Sequence, residues 1–267
     1  MDIIDHIHQH RSIRSYRPDP VSPELLGEIL GAGIRASSSG NMQSYSIIVT
    51  RDQELKERLL RPHLQQSMVT EAPVLLTFCA DFNRMRRWLS LREAPDNFDN
   101  FFSFLIGAID AILVSQNVAL AAEAYDLGIC YLGSTLSNCR EIGDILRVPE
   151  QVLPVVGFTL GYPDENPELR YRLPLQGLVH EDTYQDYTDE EIRDLYQEKE
   201  VRGWNRYLKS DRLRRLVDEA GVENLAELYT TVKYTRENYQ RISRDILAGL
   251  RETGFFNHGE VVPPEQS

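Results

Sequence analysis

Residues 101–127 read FFSFLIGAIDAILVSQNVALAAEAYDL, a stretch that is apolar along most of its length and contains no proline. It is long and apolar enough to cross a bilayer as a helix. Four polar residues nevertheless interrupt it, namely Asp110, Gln116, Asn117 and Glu123. Because a carboxylate in the middle of a membrane span is costly, we instead predict a soluble helix, capped by Gly128 and buried in a large core or a dimer interface.

Shorter strand patterns surround this helix. Runs of aliphatic, β-branched and aromatic residues between turn-forming residues predict four strands. They cover residues 46–50, 74–80, 129–132 and 152–160. Ser22 followed by Pro23 predicts a helix start, and Asn138 with Glu141 has the capping-box pattern of another helix. Strands that alternate with helices indicate an α/β or an α+β sheet domain, which we expect to end near Tyr184.

Two connections between these elements are polar. Residues 37–43, SSSGNMQ, predict a loop that is rich in hydrogen-bond donors. Residues 81–100 form a charged and aromatic connection, which is either a lid or ordinary surface.

The composition changes after the sheet domain. Thr188 precedes three acidic residues and predicts a capped, charged helix, and helical patterns recur at 212–219 and 234–252. Residues 222–239 match no pattern that we can assign. We therefore expect a sheet core, a helical extension and a disordered tail, at residues 1–184, 185–258 and 259–267 respectively.

The acidic composition limits the classes of partner. The chain has a formal net charge of -12 and a pI near 5.0, whereas nucleic acid and anionic membranes require an extended basic face. No secretory signal is visible, and three cysteines without CxxC spacing are typical of reduced thiols. These features favour a cytoplasmic protein with a small ligand. Cys139 has no identifiable base, so we do not predict it to be a nucleophile.

Two pairs of arginines stand out in this acidic chain, Arg11 with Arg14 and Arg170 with Arg172. A guanidinium can donate two parallel hydrogen bonds to phosphate, and such charge-assisted bonds contribute about 1.5 to 3 kcal/mol each. The pairs therefore predict a phosphorylated cofactor. The alternative is that they form solvated ion pairs, which contribute little. Since the P-loop, GxGxxG and GxSxG motifs are absent from the sequence, the phosphate must be held in another way.

A histidine cluster raises the question of a metal site. His6, His8 and His10 alternate, and His6 and His10 would share one face of a helix. No nearby cysteine or carboxylate stands at the spacing that would complete the three or four ligands of zinc. We therefore predict no metal site.

Five motifs occur in the order found in one known family. They are HRSIRSY at 10–16, SSSGNMQ at 37–43, GICYLG at 128–133, GYP at 161–163 and RYRLP at 170–174. On these motifs the chain resembles the FMN-dependent nitroreductase family, most nearly its NADPH-dependent, oxygen-insensitive nitroreductases and flavin reductases, over about residues 3–184. The resemblance implies an α+β, three-layer fold with a central mixed sheet flanked by helices, followed by a helical C-terminal extension.

The resemblance also implies roles for individual residues. Those implied to bind FMN are His10, Arg11, Ser12, Arg14, Ser38, Gln66, Tyr131, Leu132, Gly133, Arg170 and Arg172. Arg172 is in addition a candidate to stabilise the reduced, anionic flavin, and Arg202 and Arg206 loosely match arginines that bind the NADPH 2′-phosphate. Other readings stay open. Arg202 and Arg206 could lie on a solvated helix face, Ser38 could only cap a helix, and Gly133 could only permit a turn.

By the same resemblance, NAD(P)H delivers hydride to bound FMN and departs. A nitroaromatic, quinone or flavin acceptor then takes its place, which gives ping-pong kinetics. The flavin carries the chemistry, so no catalytic protein group is required. The family forms homodimers, and residues 101–127 are the natural interface helix. The sequence leaves open the physiological acceptor and the choice between NADPH and NADH.

Three residues depart from the family pattern. Asn41 replaces an apolar or aromatic residue, Ser134 replaces a glycine, and Arg170 replaces a lysine. These departures leave the acceptor preference open. Two functions other than a reductase also remain: a non-catalytic flavin or nucleotide storage or sensor protein, and an acidic helical module in residues 185–267 that binds a partner.

Overall fold

The structure is a computed structural model that describes residues 3–256. It separates into two compact units: the first comprises residues up to Glu168 together with those from Ile242 onward, and the second is Leu169–Arg241. The division that we predicted after residue 184 stays a prediction, and the tail predicted over 259–267 lies outside the described residues.

A four-stranded antiparallel sheet forms the centre of the first unit. Its strands are β1 (Tyr45–Thr50), β2 (Val74–Asp81), β3 (Gly128–Tyr131) and β4 (Val152–Gly161), in the spatial order β1-β2-β4-β3. All four were predicted from the sequence. A parallel bridge joins Ser12 to Ile129 of β3, so the parallel component of the expected mixed sheet comes from the N-terminal segment rather than from a named strand.

Helices cover both faces of the sheet and give the expected three layers. Up to Glu168 they are α1 (Ile3–His8), α2 (Pro23–Gly33), α3 (Gln53–Leu60), α4 (Met68–Glu71), α5 (Asn83–Leu91), α6 (Phe101–Ala124), α7 (Ser134–Ser137) and α8 (Cys139–Leu146), with a 3₁₀ turn at Ser39–Asn41. The helices after Glu168 are α9 (Asp189–Lys209), α10 (Asp211–Ala220), α11 (Leu225–Leu228) and α12 (Arg236–Glu252). This part of the chain also contains a 3₁₀ turn at Leu175–Gly177 and a π-helix at Tyr229–Lys233. Ser22 caps α2 as predicted, accepting from the backbone N–H of Leu25 at 3.1 Å.

Helix α6 is the core helix of the first unit. One face packs against the sheet and α2 and buries Ala111, Val114 and Val118 completely. By length and composition alone this helix could span a membrane, with a mean hydropathy of 1.8, yet half of that stretch is buried inside the protein. The predicted core helix is therefore confirmed. Its opposite face exposes an apolar stripe at helical spacing, formed by Phe102, Leu105, Ile109, Ile112 and Leu113.

Helix α6 ends earlier than predicted. Its last residue is Ala124, Tyr125 caps it through backbone hydrogen bonds to the last turn, and Asp126 then adopts a left-handed φ of 58°. Gly128 is therefore not a C-cap but the first residue of β3. A Cβ on Gly128 would lie 2.5 Å from Cγ1 of Ile13, so the glycine allows the N-terminal segment to approach the strand closely.

The predicted cap at Thr188 and the predicted capping box at Asn138 have different outcomes. Thr188 caps α9 as predicted, and it does so in a capping box with Glu191. Asn138 begins α8 without a side-chain cap, because its Nδ2 donates to the carbonyl of Pro62 at 2.7 Å. Glu141 pairs instead with Arg61 at 2.7 Å. The α8 helix was predicted correctly, but its capping box was wrong because both side chains reach a neighbouring loop.

Gly107 sets the distance between α6 and the sheet. A Cβ on this residue would lie 2.9 Å from the carbonyl oxygen of Ser44 and 3.0 Å from Cβ of Ala80. These distances are shorter than ordinary contacts, so a side chain would push the helix away from the strand. The close approach brings polar side chains of α6 within reach of the loops at the ends of the strands.

Candidate functional site

The segment that carries Arg11 and Arg14 lies beside β3, the terminal strand of the sheet. Ser12 forms the bridge to the strand, and the backbone N–H of Ile13 donates to it at 2.8 Å. Ile13 and Tyr16 are buried, and the Tyr16 hydroxyl lies 2.6 Å from the carbonyl oxygen of Ile13. These two side chains anchor the segment in the core, so that Arg14 is held at the surface.

Within the described residues, neither arginine of this pair has a carboxylate at ion-pair distance. Arg11 donates to the carbonyl oxygens of Gln9 and Pro167, at 3.2 and 3.3 Å, and to the side chain of Asn166. Among the residues that the structure describes, the Arg14 guanidinium has one hydrogen-bond partner, the carbonyl oxygen of Ser12 at 3.5 Å. Glu165 accepts backbone N–H groups of this segment instead. In a protein of net charge -12, two unneutralised guanidinium groups favour an anion site over the alternative of solvated ion pairs.

His10 has a different environment from the arginines. Its Nδ1 lies 2.6 Å from Oε1 of Glu123 on α6, and both side chains are largely buried. His6 lies nearby, with Nε2 3.3 Å from the carbonyl oxygen of Leu120. In residues 3–256 no group of three or more His, Cys, Asp or Glu side chains is arranged to hold a metal ion.

The end of β3 provides an open backbone surface. Tyr131 is half-buried, and its hydroxyl lies 3.1 Å from Oγ of Ser115 on α6. Leu132 is buried, whereas Gly133 is exposed with open space where a side chain would begin. The next residue, Ser134, is buried again. The turn can therefore offer a ligand the backbone of Leu132 and Gly133, together with the accessible part of Tyr131.

Gln66 lies in the loop that follows α3. Its Nε2 donates to the carbonyl oxygen of His63 at 2.9 Å. The His63 side chain is 1% exposed, and its Nδ1 lies 2.9 Å from Oγ of Ser134. Burial lowers the pKa of His63 to about 4, so its imidazole is neutral at physiological pH. The predicted cofactor residues Gln66 and Gly133 thus belong to two segments that a buried histidine joins.

Ser38 is organised by a buried carboxylate. Its Oγ donates to Oδ2 of Asp110 at 2.7 Å and accepts from the backbone N–H of Gln43 at 2.7 Å. Asp110 also accepts from the backbone of Ser39 at 3.0 Å and from Oγ of Ser44 at 2.9 Å. Asp110 is 1% exposed, so these donors compensate the cost of burying its charge.

The same loop contains left-handed backbone at two non-glycine positions. Asn41 and Gln43 have φ values of 55° and 49°, and Gly40 has a φ of 55°. Nε2 of Gln43 donates to both the carbonyl and the side-chain oxygen of Asn41, at 2.6 Å each. The serine-rich loop is therefore a fixed, strained turn with exposed amide groups.

Helix α6 connects three of the predicted cofactor residues. Asp110 contacts Ser38, Ser115 contacts Tyr131, and Glu123 contacts His10. We did not predict these roles, although Asp110 and Glu123 are two of the polar residues that interrupt the apolar stretch. A carboxylate in an otherwise apolar helix was the available signal. His63 gave no signal, because nothing in its local sequence distinguishes it.

The second unit contains the remaining predicted residues. Arg170 and Arg172 are exposed at its start. Arg202 pairs with Glu198 on the same helix, with Nε 2.8 Å from Oε1, and its guanidinium lies 5.4 Å from the ring centre of Tyr171. This helix-surface ion pair agrees with the solvated alternative for Arg202. The guanidinium of the half-buried Arg206 lies 5.3 Å from the ring centre of Tyr207. The amine of the exposed Lys233 lies 4.9 Å from the same ring centre.

The cysteines have no features of nucleophiles. All three are buried free thiols. Burial raises the pKa of Cys139 to about 11, so the thiol stays protonated near neutral pH.

Comparison with known proteins assigns the family. The sequence profile of the Nitroreductase family matches residues 7–162. An oxygen-insensitive NADPH nitroreductase of Salmonella typhimurium is 37% identical over 191 residues, which is 71% of this chain and 77% of that protein. An NAD(P)H FMN reductase of Bacillus subtilis is 34% identical over 187 residues, which is 68% of this chain and 74% of that protein.

The fold agrees with this assignment. The crystal structure of nitroreductase A from Vibrio parahaemolyticus superposes on this chain with a TM-score of 0.78 at 32% sequence identity, and the match covers 95% of this chain and 98% of that one. A crystal structure of a Bacteroides fragilis protein superposes on this chain with a TM-score of 0.87 at 41% sequence identity, and the match covers 94% of this chain and 99% of that one. The profile match contains the segment of Arg11 and Arg14, the Ser38 loop, Gln66 and the turn at Gly133. The chain therefore belongs to the nitroreductase family.

Proposed function

We propose that this protein uses FMN to pass electrons from NAD(P)H to nitroaromatic, quinone or flavin acceptors by a ping-pong mechanism. It is an NAD(P)H-dependent flavin oxidoreductase by its family and its named relatives, which are themselves a nitroreductase and an FMN reductase. Those names support turnover and give no support to a storage or sensor role. The acceptors and the order of substrate binding are our proposal.

The observation that carries this proposal is the chemistry of the donor set beside β3. Arg11 and Arg14 offer guanidinium groups that no described carboxylate neutralises, which suits a phosphate. Ser12 lies between them, and the exposed Gly133 leaves room for a flat ligand to approach the backbone. The residues present therefore fit a flavin that carries a phosphate, which is FMN.

The roles of the individual residues follow from this fit. When bound, FMN supplies the redox chemistry by accepting hydride from NAD(P)H and delivering electrons to the acceptor. Arg11 and Arg14 would bind the phosphate, and Ser12 and Ser38 would hydrogen-bond nearby polar groups. Gln66 and the backbone of residues 131–133 would position the ring system. The contact with Glu123 would hold the His10 side chain in one position, where it lines the FMN site.

Residues of the second unit have roles that rest on the family resemblance. Arg170 and Arg172 would contribute further cofactor contacts, and the positive charge of Arg172 would stabilise a reduced, anionic flavin. Arg206 and, less directly, Arg202 would bind the 2′-phosphate of NADPH. Arg172→Ala tests the first role: if FMN affinity and turnover both stay unchanged, Arg172 does not have it.

We also propose that the protein is a soluble, cytoplasmic homodimer. The stripe on α6 exposes five large apolar side chains at helical spacing, which is unusual for a monomer surface. A second copy of the same stripe would cover it in an isologous contact.

The visible spectrum of the purified protein, followed by anaerobic titration with NADPH and NADH in parallel, tests the function. We expect a yellow protein that is bleached by at least one of the two donors. Flavin that stays oxidised would favour storage or sensing, and a protein that takes up no flavin from excess FMN would favour an interaction module.

A further inference from the structure

The loop that carries Gln66 is held in a strained conformation. Leu64 and Gln65 are consecutive non-glycine residues with φ values of 59° and 57°. Left-handed backbone is unfavourable for a residue with a side chain, so it persists only where surrounding contacts hold it. Leu64 is 69% exposed and contributes little burial. The backbone N–H groups of the pair donate to the carbonyl oxygens of Arg61 and Leu60, both at 3.0 Å, and side-chain contacts of the neighbouring residues hold the rest of the loop.

Three contacts join this loop to the segment that follows Gly133. Arg61 pairs with Glu141 at 2.7 Å, the carbonyl of Pro62 accepts from Asn138, and Nδ1 of His63 lies 2.9 Å from Oγ of Ser134. Arg61 is largely exposed, so its ion pair contributes little. The third contact is buried at both ends, since His63 is 1% and Ser134 6% exposed. We therefore expect the His63–Ser134 hydrogen bond to contribute most to holding the two segments together.

His63 retains a polar atom that packing alone does not explain. Its Nε2 is buried and has no hydrogen-bond partner in the described part of the chain. An unsatisfied buried nitrogen is costly, and an apolar side chain of similar size would avoid that cost. A histidine is useful here because Nδ1 can bond to the Ser134 hydroxyl whichever of the two groups donates. A glycine at position 134 could not form this bond.

Each end of the link adjoins a proposed cofactor residue. The carbonyl oxygen of His63 accepts from Nε2 of Gln66 at 2.9 Å, and Ser134 directly follows the exposed Gly133. We propose that His63 is a positioning residue, which through Ser134 fixes Gln66 and the Gly133 backbone relative to each other so that both meet the flavin. This inference rests on the proposed FMN site and adds a residue pair to it.

The test uses the full-length protein loaded with FMN. His63→Ala and Ser134→Gly each remove the link from one end, and we expect each to weaken FMN binding about 5- to 10-fold. Each should also shift the visible flavin spectrum and the two-electron midpoint potential. The double variant should be no worse than the worse single variant, because both act on one interaction. His63→Asn, whose amide can still bond to Ser134, should restore most of the affinity.

Leu75→Ala is the matched control, because Leu75 is fully buried in the cluster that contains Leu59 and Met68, which flank the His63 loop, but belongs to β2. It should lower stability while leaving the flavin affinity, spectrum and potential unchanged. Unchanged flavin properties in Ser134→Gly, additive effects in the double variant, or equal shifts in Leu75→Ala would each overturn the positioning role. If the unaltered protein binds and reduces FMN, such a result removes only this inference; if it binds none, the proposed function fails first.

Discussion

Oδ2 of Asp110 lies 2.7 Å from Oγ of Ser38, which joins the middle of the core helix to the serine-rich loop. The carboxylate is buried, and its other hydrogen bonds come from the same loop and from Ser44. A carboxylate thus does for this loop what a capping residue does for a helix: it satisfies several donors at once.

Asp110→Ala should therefore lower both stability and FMN affinity. Removing the carboxylate leaves buried donors without an acceptor, which we expect to cost about 3 kcal/mol in the free energy of unfolding. Urea unfolding measures this cost, and flavin fluorescence measures the affinity. Asp126→Asn is the control, because Asp126 is exposed and asparagine tolerates its left-handed φ. A loss below about 0.5 kcal/mol in Asp110→Ala would contradict the role of this residue.

Arg14→Ala should weaken the binding of FMN far more than that of riboflavin. If the guanidinium binds the phosphate, the loss of one charge-assisted bond should raise the dissociation constant for FMN roughly 10- to 100-fold. Riboflavin has no phosphate and should be affected little. Arg17→Ala provides the comparison, since Arg17 pairs with Asp19 at 3.4 Å. Equal losses for the two flavins would show that Arg14 acts on the fold and not on the phosphate.

Ile109→Asp should convert the proposed dimer to a monomer. Ile109 is 54% exposed at the centre of the α6 stripe, and a dimer would bury the new carboxylate without a partner. Sedimentation velocity measures the change in mass. Leu91→Asp adds the same charge at an exposed apolar residue outside the stripe and should leave the dimer intact. A protein that is monomeric before substitution would refute the interface.

His63 should make the protein less stable in acid. Burial lowers its pKa from 6.5 to about 4, so between these values the unfolded chain binds a proton that the folded protein does not. Stability therefore falls as the pH decreases from 6.5 toward 4, by at most about 3 kcal/mol from this group. Urea unfolding at pH 7 and pH 4.5 should show a larger loss in the unaltered protein than in His63→Asn. Equal losses would mean that His63 is not held neutral by the fold.

Arg206→Ala should raise the KM for NADPH and leave the KM for NADH nearly unchanged. The two donors differ by the 2′-phosphate, so a residue that binds this group affects only one of them. Steady-state kinetics with both donors measures the ratio, and Lys209→Ala is a control on the same helix. An equal change for both donors would place Arg206 outside the phosphate site.

Local patterns in the sequence predicted the main elements. The strands, the core helix and the Thr188 cap depend on residues close in sequence, and the structure contains all of them. The capping box at Asn138 failed because a distant partner, the Pro62 carbonyl, competes for the same side chain. The end of α6 was misplaced because a residue with left-handed φ, Asp126, supplies the turn that we assigned to glycine.

The site was predictable only in part. Arg11, Arg14 and Gly133 have recognisable sequence contexts, and the structure holds Arg14 and Gly133 at the surface. Asp110 and His63 act through tertiary contacts with residues 66 or more positions away, and no local rule indicates such partners. Residues that hold other residues in place are therefore the ones that sequence analysis missed.

The absence of a side chain at Gly107 has a consequence for attempts to change acceptor preference. Because side chains of α6 contact Ser38, Tyr131 and His10, displacing this helix from the sheet would move three residues of the proposed FMN site together. Directed evolution for a different acceptor should therefore select substitutions at exposed loop residues such as Asn41. Substitutions along α6 should mostly be lost from the selected variants.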